Sequence, residues 1–91
     1  MMFEFDPAKS AVNTDKHGID FEQAKVIWDD GKALRIEAHD GPDGEPRWLV
    51  IGRIGDRIWS AATTDRGEAT RIISVRRARK DEEDLYDQQK F

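Results

Sequence analysis

The chain has 91 residues, a formal net charge of −4 at pH 7 and no cysteine. A chain of this length supports one small core, burying roughly 60 to 65% of its extended-state surface, so residues 1–91 are read as a single domain. The missing cysteines exclude disulfides, thiolate metal sites and cysteine nucleophiles. No run approaches the roughly 20 apolar residues that span a bilayer, and "MMFEFDPAK" lacks the basic opening and apolar core of a signal peptide, so a cytoplasmic protein without membrane contact is expected.

In chain order, "FEF" at 3–5 alternates apolar and polar and suits a short edge strand. Asp6-Pro7 then supplies an N-cap followed by proline at the first helical position. The helix this opens runs through "AKSAVNTDKH" and stops at Gly18, the residue type that takes a left-handed C′ position most cheaply. Asp20 caps a second helix, "FEQAKVIWD", with Phe21, Ala24, Ile27 and Trp28 as its buried stripe. From Ala33 the period changes to two, giving strands in "ALRIEAH", "RWLVIGRI", "RIWSAATT" and "ATRIISVRR". Their connections, "DGPDGEP", "GD" and "DRGE", are too short for parallel crossovers and predict an antiparallel meander. The second of these strands is apolar on both faces and should be central and covered on both sides. "RKDEEDLYDQQKF" reads as a polar C-terminal helix with acids at the favourable end of its dipole. Its apolar anchors are Leu85, Tyr86 and Phe91, few enough that its docking is expected to be weak or to depend on a partner. The fold class is α+β: a small sheet of about four antiparallel strands, plus a short N-terminal strand, packed by two N-terminal helices and one C-terminal helix.

Charge is unevenly spread. Residues 1–65 carry 8 Lys and Arg against 13 Asp and Glu, residues 66–80 carry 6 against 1, and residues 81–91 carry 1 against 5. A basic island thus lies between acidic segments, where a solvated, charge-blunted strand edge and a phosphate-gripping surface are the two competing explanations. Strict alternation sends Arg71, Ile73, Val75 and Arg77 to one side of the last strand and Ile72, Ser74 and Arg76 to the other. Arginine's planar fork binds phosphate oxygens in pairs and never loses its charge, so Arg71, Arg76, Arg77 and Arg79 suit gripping RNA and stabilising a pentacoordinate phosphorus. Lys80 extends the island. Arg53 stands ready to join it from the neighbouring strand, next to Gly52, whose missing side chain lets another backbone or a ligand come close.

On the first helix, Lys9, Asn13, Lys16 and His17 share one face at i, i+4, i+7 and i+8, a donor-rich stripe able to hold phosphate or simply to meet solvent. His17 is the better candidate acid or base of the two histidines. The phosphate-loop, dinucleotide, zincin and nucleophile-elbow motifs are all missing. His17 and His39 lie 22 residues apart on different elements, and "HDGPDG" reads as a turn rather than a metal loop, so no metal or cofactor is expected.

These residues resemble the BrnT toxins of bacterial type II toxin-antitoxin modules. The likeness rests on "FEFDPAKSAVNTDKHGIDFEQA" at 3–24, with Asp6, Lys9, Asn13, Lys16, His17, Gly18, Phe21, Glu22 and Ala24 in the family's spacing, and on Arg71, Ser74, Arg76 and Ala78 in "RIISVRRA"; "WLVIGRI" resembles the family's central strand. The resemblance implies a RelE-like fold and a ribonuclease that arrests growth without metal or cofactor. It further implies neutralisation by a BrnA antitoxin with a ribbon-helix-helix region, two toxins on an antitoxin dimer, and contact with operator DNA only through the antitoxin. Many relatives carry a single basic residue where this chain has Arg77 and then Arg79-Lys80, so the resemblance does not decide which arginine meets substrate. The mechanism expected is ribose 2′-hydroxyl attack on the adjacent phosphate, with His17 as first-choice base and Glu68 or His39 as fallbacks.

Two other functional classes fit the same residues. One is a non-catalytic module that binds RNA or an acidic antitoxin segment. The other is a structural domain whose arginines pair with the "DEED" segment, although exposed pairs contribute only ~0–1 kcal/mol. The catalytic reading expects "DEED" to start a separate helix and to leave Arg71, Arg76 and Arg77 free.

Overall fold

The computed structural model describes residues 1–89. Phe91, expected as an anchor of the last helix, lies outside them. Strand β1 (Met2–Glu4) leads into α1 (Pro7–His17), where the Asp6 carboxylate accepts from the Ala8 N–H at 2.9 Å. Gly18 closes this helix at φ 74°, and its N–H donates to the Thr14 carbonyl at 2.9 Å. Only a residue without Cβ takes that conformation cheaply.

The second helix departs from expectation. Asp20 and Gln23 form a reciprocal capping box, but the α-helix covers only Phe21–Ala24 (α2), and Lys25–Asp29 continues as a 3₁₀ segment. β-branched Val26 and Ile27 are poor helix formers, and here the tighter winding accompanies the docking of Ile27 on β3. A Cβ on Gly52 would lie 2.8 Å from Ile27 Cγ2 and 3.0 Å from its carbonyl oxygen. The close approach foreseen at Gly52 is therefore that of another backbone.

Strands β2 (Leu34–Glu37), β3 (Trp48–Ile54), β4 (Arg57–Arg66) and β5 (Ala69–Arg77) form the antiparallel meander, and β1 adds in parallel to β5, giving the order β1-β5-β4-β3-β2. β4 rather than β3 is the middle strand, yet Val50 and Ile51 of β3 are both buried, one on each face. On one face lie Phe21, Ala24, Ile27, Val50, Ala61, Ile72 and Val75; on the other, Ile51 and Ile58 meet Tyr86 of α3 (Lys80–Asp87).

Ile72 and Val75 entering the same core breaks the alternation expected of β5. Pairing passes from Ala62 opposite Ser74 to Thr63 opposite Ile72, which leaves Ile73 as an extra residue in a β-bulge. The bulge shifts the phase of the strand. Arg76 thereby joins Ser60 on the α3 face, while Arg77 comes beside Trp59 on the opposite face.

Candidate functional site

The donor face of α1 packs along β5 beyond the point where β1 ends. Asn13 sits at the junction, 5% exposed. Its Nδ2 donates to the carbonyls of Ile19 and Val75 at 2.8 and 2.9 Å, and its Oδ1 accepts from the Val75 N–H at 3.1 Å. The side-chain amide thus supplies the pairing that a strand would supply to Val75, and its hydrogen-bonding capacity is nearly used up. Sequence reasoning placed Asn13 among RNA contacts; the structure gives it a buried tie between helix and sheet. Ser10 makes a second tie, its Oγ accepting from the Phe21 N–H at 2.9 Å.

Next to this tie, Lys9, Val12, Lys16 and His17 line a cavity of about 340 Å³ with Ile73 and Ser74 as its β5 wall. Lys9, Lys16 and His17 are exposed, and among the described residues none of them forms an ion pair. The Asn13 tie pins the turn after His17 against Val75, two residues before Arg77. Arg77 is exposed, carries no ion pair among the described residues, and lays its guanidinium 5.6 Å from the Trp59 ring centroid.

Two other arginines of the island are committed. Arg71 Nη1 donates to Glu4 of β1 at 3.1 Å. Arg76 donates from Nη1 and Nη2 to the two carboxylate oxygens of Glu82 at 2.7 and 2.8 Å, and Nη1 also reaches the Arg77 carbonyl. Glu82, itself within "DEED", is 6% exposed and additionally accepts from Ser60 Oγ and the Arg79 N–H, both at 2.9 Å. The Arg76 fork, opposing the cost of burial, holds the Glu82 carboxyl down at about 2, and the same pairing raises the Arg76 pKa. The expectation that Arg71 and Arg76 stay free is overturned, Arg76 being held by Glu82 of "DEED" and Arg71 by Glu4 of β1, while "DEED" does start the separate helix α3. Lys80 is tied as well, to Asp84 one turn on at 2.7 Å, whereas Arg79 caps α3 with its side chain exposed.

Arg53 belongs to a third cluster, at the far end of α3. The Asp30 carboxylate accepts from the Arg53 N–H at 2.8 Å, from Tyr86 Oη at 2.6 Å and from the Lys32 N–H at 2.9 Å. Burial pushes the Asp30 carboxyl up, but these hydrogen bonds outweigh it and leave the group below its ordinary value. Burial and the Asp30 charge raise the Tyr86 phenol, although neighbouring Arg53 opposes them. A cavity of about 330 Å³ adjoins these groups and Gln89.

The fallback bases lie elsewhere. Glu68 occupies the β4–β5 turn, at the opposite end of the nine-residue β5 from Arg77, a separation of roughly 30 Å at strand rise. His39 sits in the exposed connection after β2. Glu4, Asp30, Trp59 and Glu82 went unrecognised in the sequence; the Arg79-to-Glu82 spacing before a helix was the available signal for the last. Among the described residues no group of three or more His, Cys, Asp and Glu side chains gathers as a metal site, and no helix is long and apolar enough to cross a membrane.

No curated protein matches the chain. The family model described as ribonuclease toxin, BrnT, of type II toxin-antitoxin system matches residues 5–82, a span running from the cap of α1 through the β5 arginines to the Glu82 carboxylate. The chain belongs to the BrnT family of type II toxin-antitoxin ribonuclease toxins.

Proposed function

We propose that the protein is a metal-independent endoribonuclease whose substrate face is the α1–β5 edge. The observation that carries this reading is the gathering there of groups without an ion pair among the described residues: Lys9, Lys16 and His17 around one cavity, with Arg77 beyond the Asn13 tie. His17 takes the proton from the ribose 2′-hydroxyl, whose oxygen attacks the adjacent phosphorus. The P–O5′ bond breaks as the leaving oxygen takes a proton from solvent, giving a 2′,3′-cyclic phosphate and a 5′-hydroxyl. Arg77 stabilises the extra negative charge on the phosphoryl oxygens, and Lys9 and Lys16 hold flanking phosphates. Arg79 prolongs this surface. The partner proposed is a BrnA-type ribbon-helix-helix antitoxin, two toxins on an antitoxin dimer, acting in the cytoplasm and touching operator DNA only through the antitoxin.

A second reading, a binding module without catalysis, is favoured by one observation: two of the three arginines expected at the transition state are held by Glu4 and Glu82. Purified protein incubated with RNA in EDTA separates the two. Cleavage with cyclic-phosphate ends, abolished in His17→Ala and retained in EDTA, supports the enzyme; intact RNA that is nonetheless retarded on a gel supports the binder.

A further inference from the structure

The sheet face that carries α3 is only partly covered. Register aligns Ile36, Leu49, Ala62 and Ser74 in one row across β2, β3, β4 and β5. The next row, Leu34, Ile51, Ser60 and Arg76, lies beside α3, which holds Ser60 and Arg76 through Glu82 and packs Tyr86 on Ile51. On the other side, Thr64 is roofed by the β2–β3 connection, its hydroxyl donating to the Pro46 carbonyl at 2.7 Å. The middle row is covered only in part: Ile36 and Leu49, packed against the Ile51, Ile58 and Tyr86 cluster, are half-buried, as is Ala62, and Ser74 is exposed.

α3 runs parallel to this row, from Arg76 and Ser60 at the β5 side to Asp30 and Lys32 at the β2 side. With Glu82 and Tyr86 turned onto the sheet, right-handed winding puts Leu85 and Asp81 on the flank nearest the row. Leu85 is 42% exposed, and among the described residues Asp81 makes no ion pair.

We propose that this row and the flank of α3 form the groove that seats an amphipathic helix of the antitoxin. The inference rests on the family membership, which implies an antitoxin partner, and not on the reaction proposed above. Four strands place the ends of the row about 14 Å apart; apolar residues at i, i+4 and i+7 of a helix climb about 10 Å and cover it with their side-chain reach. The groove suits polypeptide rather than RNA, because the two arginines that border it on β5 are already matched by Glu4 and Glu82. It suits a partner rather than a second copy, because Asp81 and Glu83 in the first turn of α3 would meet their own like in a self-contact. The incoming helix therefore carries lysine or arginine on the side that faces Asp81.

The test uses the full chain and the antitoxin expressed from the neighbouring reading frame, with affinity measured by calorimetry. Leu85→Glu and Asp81→Lys are each expected to weaken the complex tenfold or more, with the folded state, read by circular dichroism, and RNA cleavage by the free protein retained. Should Leu85→Glu fail to fold, Asp81→Lys, at an exposed position, still decides the matter. Wild-type affinity in both variants would overturn the proposal, as would loss of self-association with antitoxin binding intact. Absence of RNA cleavage in every arm would count against the reaction alone, since the affinities are read without RNA.

Discussion

Glu82 and Arg76 meet fork to fork, two N–H donors on two carboxylate oxygens at 2.7 and 2.8 Å, and this pair is the first of two bolts that hold α3 to the sheet. The second is Tyr86 on Asp30. Because the folded Glu82 carboxyl lies at about 2 against 4.5 for a free glutamate, its contribution is complete above pH 4.5 and is lost as pH falls from there toward 2. The span corresponds to roughly 3 kcal/mol. Urea midpoints measured from pH 7 to pH 2 are expected to fall across this window in the wild type and to fall less in Glu82→Gln, which starts lower at neutral pH because it leaves the Arg76 charge without its counterion.

Gly52 and Ile27 make the closest helix-to-sheet approach for which a side chain is excluded. Gly52→Ala places its methyl 2.8 Å from Ile27 Cγ2 and 3.0 Å from the Ile27 carbonyl oxygen. The backbone oxygen cannot rotate away, so the 3₁₀ segment must lift from β3. A loss of about 1–3 kcal/mol is expected in chemical denaturation, with Trp28, which stacks edge-on against Phe3, changing its fluorescence in the folded state.

The parts of this molecule legible in the sequence are those set by local chemistry. Asp6-Pro7, Gly18 and Asp20 mark helix boundaries because capping is decided within four residues, and the short turns dictate the meander because they leave no length for a crossover. What escaped is what depends on distant partners. A β-bulge is invisible in "RIISVRR", since Ile73 differs from its neighbours only in what lies opposite on β4. Glu82 looks like one acid among four until Ser60 and Arg76 arrive beside it, and Asn13 looks like part of a solvated stripe until β1 stops short and leaves Val75 wanting a partner. Both errors have one physical origin: a polar residue on an exposed-looking face was read as solvent-facing when its hydrogen-bonding partners came from another element.

Asn13→Ala removes three hydrogen bonds at once and leaves the Val75 N–H and two carbonyls without their partner in a buried place. The expected cost is about 2–4 kcal/mol, at the upper end for a single polar truncation. Asn13→Asp should be no better, because a carboxylate offers the Ile19 and Val75 carbonyls no donor. Urea denaturation monitors the loss; RNA affinity of the fraction that remains folded is expected to match the wild type, which a direct RNA contact through Asn13 would not allow.

Arg76 and Arg77 are neighbours in sequence with separate tasks, and alanine at each should separate them. Arg76→Ala leaves the buried Glu82 carboxylate with only Ser60 and a backbone N–H, so it is expected to destabilise the protein by about 3–5 kcal/mol, with any loss of cleavage tracking the loss of folded protein. Arg77 is exposed and, among the described residues, lies over the ring of Trp59, a contact contributing ~0.5–1 kcal/mol. Arg77→Ala is therefore expected to leave the melting temperature nearly unchanged while lowering the single-turnover cleavage rate by about 10²–10³-fold, the scale of one lost transition-state donor. Arg77→Lys should recover part of that rate through its charge but not the paired contact of the fork. Melting curves and saturating single-turnover assays on the three variants check the assignment. Full activity in Arg77→Ala would move the transition-state contact away from the end of β5.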